Sequence, residues 1–493
     1  MQQNVLEQEL GKYFTSGKYN VTPGTNEDGT EGYIVTITEN DQNGRKYFVD
    51  KDGNVTEYTA KEPEETPEVS KEPAFSRKYG VIEIEFLSGT SYNTTTTPNH
   101  PIIKEGMTAI TYNETTGEAI NVSDDSGTDW YSYEDTSISG KENKSKWANV
   151  KTEDGSYFVW IPRYAYRIIY FDTETHENEY REGTLTEEEA LTNGYIVGYS
   201  DARGIVDAEG KTPSDLQEPE TSIAVGEKKL RTHPAFETDL DQGGWSSKLE
   251  GIWVAKYEVS QSGTTIKSAP GVSSYRSKTI GEMYTLGYNY DRNKESHLMK
   301  NSEWGAVAYL TESKYGRNGT AVSKNTSSSY YTAGASGATP ITNKLQSTTG
   351  NEYGIFDTVG GAYEYVAGYI ADSSINYGNS FASTDGSTNN KTESTPYATV
   401  YQKTDSNIYT DNYNININKI FGDATIETST TGSGTTSWYS AHSDFVGIYG
   451  DGNRSFFKRG GDSYNSFAGS FSFAYGGGGG YGSYGFRVCL AVQ

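Results

Sequence analysis

Side chains capable of nucleophilic or metal chemistry are scarce in this sequence. Cys489 is the only cysteine, so no intrachain disulfide can form and we expect no zinc-thiolate site. Its apolar neighbours predict that the thiol lies in a buried strand. No two histidines share a ligand spacing such as i, i+4; they are His100, His176, His233, His297 and His442. The sequence therefore predicts no reaction centre based on cysteine or histidine.

Three acidic residues could form an acid–base group, because positioned carboxylates can exchange protons with a substrate. They are Glu258, Asp357 and Glu364. We favour the interpretation that they are buried hydrogen-bonding residues that organise loops. Residues 50–54 begin like a calcium-binding loop, but Val55 stands where that loop requires Gly, which favours a plain hairpin. We predict no cofactor, and calcium stays open because scattered loop oxygens could bind it.

The charge of the chain limits its partners. The formal net charge is −25 at pH 7, whereas nucleic-acid or anionic-lipid binding requires clustered Lys and Arg. No apolar run approaches the roughly 20 residues that span a bilayer, and Met1-Gln2-Gln3 does not begin a signal peptide. We expect no nucleic-acid partner and no membrane span. Export is then independent of a signal peptide, as in a virion released by lysis, or uses an N-terminal anchor missing from this sequence.

The composition predicts a β-rich, loop-rich chain with an aromatic core. The 41 Tyr, 17 Phe and 7 Trp supply bulky packing material where hydrophobic content is only 33%. The 55 Gly, with frequent Asn, Ser and Thr, favour turns and short strands over long helices. The length suits two or three domains.

Residues 1–60 predict a helix stub followed by a small antiparallel meander. Apolar positions at 5–14 suit the end of an amphipathic helix. Strand-forming runs at 33–38, 47–49 and 55–58 are separated by Asn-Gly and Asp-Gly turns. This arrangement resembles the globular part of a type IV pilin-like protein whose hydrophobic stalk is absent, which implies a pilus subunit.

The rest of the chain divides into three parts. Residues 61–75 are acidic and rich in proline, which predicts an extended linker. Residues 76–97 contain an alternating strand at 81–86 that suits either neighbour. From 98 to 493, turn signals alternate with aromatic strands, and the Ser-, Thr- and Gly-rich residues 313–350 predict a long inserted surface loop.

Four segments in the second half carry a family resemblance. In order they are residues 251–260 (GIWVAKYEVS), 301–310 (NSEWGAVAYL), 350–366 (GNEYGIFDTVGGAYEYV), and Arg459-Gly460-Gly461 closed by Gly485-Phe486-Arg487-Val488. Together they resemble the formylglycine-generating-enzyme (sulfatase-modifying-factor) family, which shares a K-Y-E-V-T strand, an E-W helix, an N-x-Y-G-L-x-D-M-x-G-N-V-x-E-W loop, R-G-G and a final G-F-R. The resemblance implies an α+β fold, a C-type-lectin-like domain with little regular structure over residues 98–493.

The same segments depart from the enzymes of that family. Their oxidase chemistry rests on a cysteine pair near the C-terminal end, whereas Cys489 is alone. Another branch uses a three-histidine iron site, for which this chain lacks the spacing. Gly361 and Tyr365 stand where the family usually has Asn and Trp. We therefore expect no enzymatic activity.

Residues 462–484, called here the variable segment, have the composition of a diversified sequence. They contain no Lys, Glu, Gln, Met or Trp. An AAY codon randomised at both adenines can encode Tyr, Ser, Gly, Ala, Asp, Asn or Phe, but never those five residues or a stop. The segment lies between R-G-G and G-F-R, where it resembles the mutable region of variable proteins of diversity-generating retroelements, which share the lectin-like fold. This resemblance implies a ligand-binding set: Asp462, Ser463, Tyr464, Asn465, Ser470, Ser472, Ala474, Tyr475, Gly476, Gly477, Gly479, Tyr481, Gly482, Ser483 and Tyr484.

The side chains of the variable segment favour a binding role. Phe471 and Phe473 alternate with small residues, which predicts one buried and one exposed strand face. Tyr among Gly and Ser matches antibody paratopes, where Tyr gives rigid contact area and small residues adapt around it. The glycines at 476–480 alone would indicate a low-complexity loop. A phosphate-binding loop is excluded because no Lys and no strand-to-helix context follow.

We predict a hypervariable receptor-binding or adhesion protein, located outside the cell on a cell or pilus surface. Its partner would be a protein or glycan on another cell or host, bound without covalent chemistry, and homo-oligomers are compatible with this role. One alternative is a phage tail-fibre protein that attaches a virion to its host through the same domain. A second alternative is an oxidase of the formylglycine-generating type.

Overall fold

The computed structural model divides the chain into two compact units, residues 1–74 and 75–493. The described residues are 19–26, 28–37, 46–58, 77–89, 91–123, 125–127, 129–134, 144–211, 224–225, 228–371, 396–402, 420–428, 443–444, 456–465 and 468–492. The predicted helix stub at 5–14 and linker at 61–75 lie outside these residues.

The first unit is an antiparallel meander in which strands adjacent in sequence pair. Its strands are β1 (Tyr19–Thr25), β2 (Glu31–Ile37), β3 (Lys46–Asp50) and β4 (Val55–Glu57). The predicted meander is confirmed by β2, β3 and β4, including the hairpin at 50–54. β1 is an additional strand, although its Pro23 argues against one, because an edge strand tolerates a residue without an N–H.

The second unit carries the remaining elements. Its helices are α1 (Glu174–Arg181), α2 (Glu187–Thr192), α3 (Ile280–Tyr288) and α4 (Asn301–Glu312). Its strands are β5 (Tyr79–Leu87), β6 (Thr94–Thr95), β7 (Met107–Tyr112), β8 (Ala119–Asn121), β9 (Asn149–Thr152), β10 (Tyr157–Pro162), β11 (Tyr164–Phe171), β12 (Ile196–Asp201), β13 (Gly204–Asp207), β14 (Ala224–Val225), β15 (Lys228–Lys229), β16 (Arg231–Thr232), β17 (Gly251–Ala255), β18 (Val259–Ser262), β19 (Thr265–Ser268), β20 (Ser296–Leu298), β21 (Tyr363–Ala371), β22 (Thr399–Gln402), β23 (Ser443–Asp444), β24 (Phe456–Arg459), β25 (Phe473–Gly476), β26 (Tyr484–Phe486) and β27 (Val488–Leu490).

Three sheets form the frame of this unit in the part of the chain that is described. The first has the strand order β13-β12-β11-β5-β6, with β16 beside β11. The second has the order β20-β27-β17-β10-β9-β7-β8, and the third has β22-β21-β24-β25-β23, with β26 beside β21. The strand predicted at 81–86 is part of β5, so residues 76–97 contribute to the second unit.

The core of the second unit is aromatic, as the composition predicts. Trp160 and Trp253 are wholly buried, and their rings pack 5.1 Å apart. Buried tyrosine hydroxyls reach main-chain carbonyls: Tyr133 donates to Trp160 O (2.7 Å) and Tyr164 to Ala306 O (2.8 Å). Each of these two tyrosine rings is therefore buried while its hydroxyl keeps a hydrogen-bond partner.

Helix α4 lies at the centre of the unit and confirms the helix predicted at 301–310. All of its residues are buried, and it packs against β5, β10 and β21. The carboxylate of Glu303 accepts a hydrogen bond from the backbone N of Lys300 (2.8 Å). Lys300 is thus the N-cap residue, and Glu303 satisfies one of the free N–H groups that begin a helix.

Residues 313–350 correct one prediction. They contain no α-helix or strand, as expected of an inserted loop, but they are not confined to the surface. Thr332, Ala333 and Thr349 are at most 1% exposed. The small side chains that predicted a solvated loop instead allow its main chain to reach the core, where the N of Ala333 donates to Asp357 Oδ1 (3.0 Å).

The described residues form a mixed α+β fold with mostly β-sheet and few helices, which confirms the predicted class. No helix in this part of the chain is long and apolar enough to cross a membrane. Cys489 is wholly buried in β27, as its apolar neighbours predict.

Candidate ligand-binding site

Arg487 of the G-F-R segment joins three parts of the frame beneath the variable segment. Its guanidinium donates to both carboxylate oxygens of Glu364 (2.6 and 3.1 Å), to Ala255 O (2.7 Å) and to Phe356 O (2.9 Å). Neither charged side chain is more than 1% exposed. Because Glu364 and Arg487 neutralise each other and the carbonyls take the remaining donors, this buried charge is satisfied.

Glu258 and Asp357 hold the neighbouring loops. Glu258 accepts hydrogen bonds from the backbone N of Ala362 (2.8 Å) and from the Ser274 hydroxyl, and Asp357 accepts from the Asn325 amide (2.9 Å). Burial, with Glu364 and Asp357 nearby, raises the pKa of Glu258 well above its ordinary value. Burial also raises the pKa of Asp357 to about 6. The interpretation of these carboxylates as buried loop-organising residues is confirmed.

The R-G-G segment ties β24 to helix α4 and turns the chain into the variable segment. Arg459 donates to Asn301 Oδ1 (2.7 Å) and Ala424 O (3.1 Å), and also contacts Asp423 O. Gly461 has a φ of 71°, and a Cβ there would lie 2.6 Å from the main chain of Ala468. This position therefore requires glycine both for its conformation and for its space.

The variable segment divides into exposed and buried positions. Tyr464 is 70% exposed and Tyr481 is 57% exposed, and Gly477, Gly480 and Gly482 are exposed. The half-buried residues are Asp462, Asn465, Gly479, Ser483 and Tyr484. The buried residues of the predicted set are Ser463, Ser470, Ser472, Ala474 and Gly476. The side chain of Tyr475 lies outside the part of the chain that the structure describes.

The prediction that Ser470, Ser472 and Ala474 form an exposed face is wrong. These residues are 3–6% exposed, and Phe471 and Phe473 are buried as well. The strand β25 begins only at Phe473 and lies between β24 and β23, inside its sheet. Ser470 O also accepts a hydrogen bond from the Trp304 ring (2.8 Å), so this stretch belongs to the core.

Main-chain hydrogen bonds attach the variable segment to the fixed loops around it. They join Ile280 N to Gly478 O (2.9 Å), Ser277 N to Tyr481 O (3.1 Å), Tyr363 N to Ser483 O (2.9 Å) and Ser463 N to Gly361 O (2.9 Å). The Arg276 guanidinium also donates to Gly482 O. Because every residue type has this carbonyl and all but proline have this N–H, these contacts do not depend on which side chains the segment carries.

Three glycines of the segment differ in the space around them. A Cβ at Gly480 would lie 2.8 Å from Ser277 O, and a Cβ at Gly476 would lie 2.9 Å from the Tyr365 ring. A Cβ at Gly482 would meet no heavy atom within 4 Å. Gly482 can therefore accept a side chain without displacing the frame, whereas Gly476 and Gly480 cannot.

Five tyrosines lie in two groups of contacting rings, called here the tyrosine surface: Tyr330, Tyr363, Tyr464, Tyr481 and Tyr484. The ring of Tyr464 lies 6.3 Å from that of Tyr330, Tyr481 lies 4.9 Å from Tyr484, and Tyr484 lies 5.8 Å from Tyr363. The Tyr363 hydroxyl in turn contacts the Asn465 amide. This geometry presents rigid aromatic faces and hydroxyls side by side, which suits binding to a large partner.

Two cations contact this tyrosine surface. Arg276 stacks over Tyr330 (4.1 Å to the ring centroid), and Lys458 lies over Tyr363 (4.3 Å) and Tyr484 (4.7 Å). Lys458 Nζ also donates to the Tyr484 hydroxyl (2.8 Å). Such cation–aromatic contacts hold the rings in place.

Sequence reasoning missed Tyr330, Tyr363 and Arg276 as parts of the site. Tyr363 lies two residues after the Gly360-Gly361 turn, a position that could have indicated a loop near R-G-G. Tyr330 and Arg276 carry no local signal, because only the tertiary fold brings their loops beside the variable segment.

A cleft of about 900 Å³ lies elsewhere in the unit. Its lining includes Lys104, Glu105, Asp154, Tyr290 and Asp291, and no residue of the variable segment. Tyr464, Tyr481 and Tyr484 of the predicted ligand-binding set lie in the tyrosine surface and no residue of that set lines this cleft, so the tyrosine surface is the candidate site.

One group of side chains in the described residues could hold a metal ion. His297, Glu303 and Cys489 have ligand atoms within 4.8 Å of one another, and all three are buried. The group supplies one carboxylate, whereas calcium takes six to eight oxygen ligands, so it does not assign a calcium site.

Neither a protein-family model nor a curated protein matches this sequence.

Proposed function

We propose that this chain is a non-catalytic ligand-binding protein whose variable segment is diversified by a retroelement. Tyr464 and Tyr481, 70% and 57% exposed, carry the proposal because main-chain hydrogen bonds attach the variable segment to the loops around it. A surface of this kind can change its side chains while the frame stays folded. The ligand is a protein or glycan, and the protein acts in adhesion or receptor binding on a cell or pilus surface.

Contacts between the motif segments support the proposal of a C-type-lectin-like domain of the formylglycine-generating-enzyme kind. The four segments that carry the resemblance converge although they are distant in sequence. Arg487 joins the 251–260 and 350–366 segments through Ala255 O and Glu364, and Arg459 joins the helix segment through Asn301. Each of the four segments is therefore joined to another by at least one hydrogen bond.

The chemistry of the tyrosine surface supports binding to a macromolecule. Tyrosine rings lose little conformational freedom on binding and offer both apolar faces and a hydroxyl. Removing a central aromatic contact from a protein interface costs about 2 kcal/mol or more. Exposed Tyr464 and Tyr481 are the residues best placed to make such contacts.

The buried polar residues support a role without catalysis. Cys489 is wholly buried, so its sulfur is out of reach of a substrate. Glu258, Glu364 and Asp357 are each engaged by donors of the frame.

Comparing many independent copies of this gene tests the proposal. We expect differences concentrated at adenines of the codons for exposed positions such as Tyr464, Tyr481 and Gly482. The codons for Ser470 and Ala474 should change far less, because those residues are buried. Codons 462–484 that are no more variable than the rest of the gene would contradict the proposal.

A further inference from the structure

Three elements bring a nitrogen, an oxygen and a sulfur ligand together in the core. His297 lies in β20 and Cys489 in β27, and the two residues are directly opposite in the antiparallel pair. Glu303 projects from the first turn of α4. The side chains of all three residues are wholly buried, and their ligand atoms lie within 4.8 Å of one another.

Hydrogen bonding fixes the orientation of the His297 ring. Nδ1 lies 2.7 Å from Glu295 O, and because a carbonyl can only accept, Nδ1 must carry the proton. Nε2 therefore faces the Glu303 oxygens, at 2.9 and 3.0 Å. Nε2 is thus the ring nitrogen that faces the carboxylate, and it is free to act as a metal ligand while Nδ1 is held by the main chain.

The chemistry of the three side chains fits a metal ion. Imidazole, carboxylate and thiolate groups are each zinc ligands, and a divalent cation would balance one carboxylate and one thiolate. The imidazole N–H bonded to a backbone carbonyl is also the arrangement that usually orients a metal-binding histidine.

Lys300 and Trp245 border the group. Lys300 Nζ donates to Gly243 O (3.0 Å) and Pro396 O (3.1 Å). Trp245 shields the group from one side, with its ring 5.2 Å from that of His297.

We propose that His297 Nε2, a Glu303 oxygen and Cys489 Sγ bind one Zn²⁺ ion. This mixed nitrogen, oxygen and sulfur set suits zinc better than magnesium or calcium, which take oxygen ligands. Tetrahedral zinc holds its N and O ligands about 3.3 Å apart, so the His297–Glu303 pair needs to open by only a few tenths of an ångström. The ion fastens α4 to β20 and β27, and this role does not depend on the proposed ligand-binding function.

Metal analysis of the full chain tests the proposal. The protein is produced in zinc-containing medium, and we expect about one zinc per chain. Protein produced with Co²⁺ in place of zinc should show a thiolate-to-cobalt charge-transfer band, which reports directly on Cys489. The near-isosteric Cys489→Ser variant should lose that band and bind zinc at least about 10-fold more weakly.

A matched control removes a histidine–carboxylate pair elsewhere. His176 contacts Asp172 through Nδ1 (2.6 Å) in the same unit, so His176→Gln should keep the full zinc content and the cobalt band. Circular dichroism checks that both variants are folded. A wild-type protein without zinc, a cobalt complex without the thiolate band, or a Cys489→Ser variant with undiminished zinc affinity would each overturn the proposal.

Discussion

Gly480→Ala should detach the variable segment from its neighbours, whereas Gly482→Tyr should leave it in place. Both glycines are exposed and two positions apart. At Gly480, however, a Cβ would lie 2.8 Å from Ser277 O and 3.0 Å from the carbonyl carbon of Lys278. At Gly482 it would meet nothing within 4 Å. The smaller substitution should therefore be the damaging one.

The size of the Gly480→Ala effect follows from the bonds that must open. To relieve the contact, the segment has to move away from residues 277–280, which breaks the bonds of Ser277 N to Tyr481 O and Ile280 N to Gly478 O. At about 0.5–1.5 kcal/mol each, the loss is about 1–3 kcal/mol. Gly482→Tyr should change the free energy of unfolding by less than about 0.5 kcal/mol.

Amide hydrogen exchange measures this difference where it arises. Gly480→Ala should speed exchange of the Ser277 and Ile280 amides, because they lose their acceptors, and thermal scans should show a small fall in Tm. In Gly482→Tyr both amides should stay as protected as in the unsubstituted chain. Equal loss of protection in the two variants, or loss only in Gly482→Tyr, would refute the steric and main-chain reasoning.

Three further predictions concern the buried frame. Both carboxylate oxygens of Glu312 are buried without a hydrogen-bond partner in the described residues, and burial raises its pKa to about 8. The folded state thus keeps a proton that the unfolded state releases, so the free energy of unfolding should fall as the pH rises from about 4.5 to about 8. In urea denaturation at a series of pH values, Glu312→Gln should flatten that dependence. Arg487→Met should lower the free energy of unfolding by about 3–5 kcal/mol in the same assay, because it leaves the buried Glu364 carboxylate without its partner. Adding Glu364→Gln should recover part of the loss, and no recovery would contradict the ion-pair explanation. Gly461→Ala should lower stability by more than about 1 kcal/mol in thermal unfolding, since its φ of 71° and the Cβ position 2.6 Å from Ala468 both oppose a side chain.

Local sequence patterns predicted an element correctly where the element's own residues decide its structure. Helix α4 follows from apolar spacing around Trp304, and the meander follows from its turn pairs. The alternation of Phe471 and Phe473 correctly predicts two buried rings but not the burial of Ser470, because neighbouring strands and Trp304 cover the other side as well. Which faces a second layer covers is a property of the whole fold.

Residues distant in sequence could not be brought together by pattern alone. Tyr330 lies in a segment whose composition is that of a solvated loop, yet it stacks with Arg276 at the candidate site. The spacing of His297 and Cys489 matches no metal motif, yet the β20–β27 pairing sets them opposite each other. In both cases strand pairing and loop packing, rather than local spacing, bring the residues together.

Two matched libraries test whether exposed positions of the variable segment accept different side chains while the fold stays intact. One randomises Tyr464, Tyr481 and Gly482 with NNY codons, and the other does the same at Ser470, Ser472 and Ala474. Members that survive protease treatment are counted by deep sequencing. Most of the first library should stay folded, and most of the second should not. Comparable survival of the two libraries, or poorer survival of the first, would contradict it.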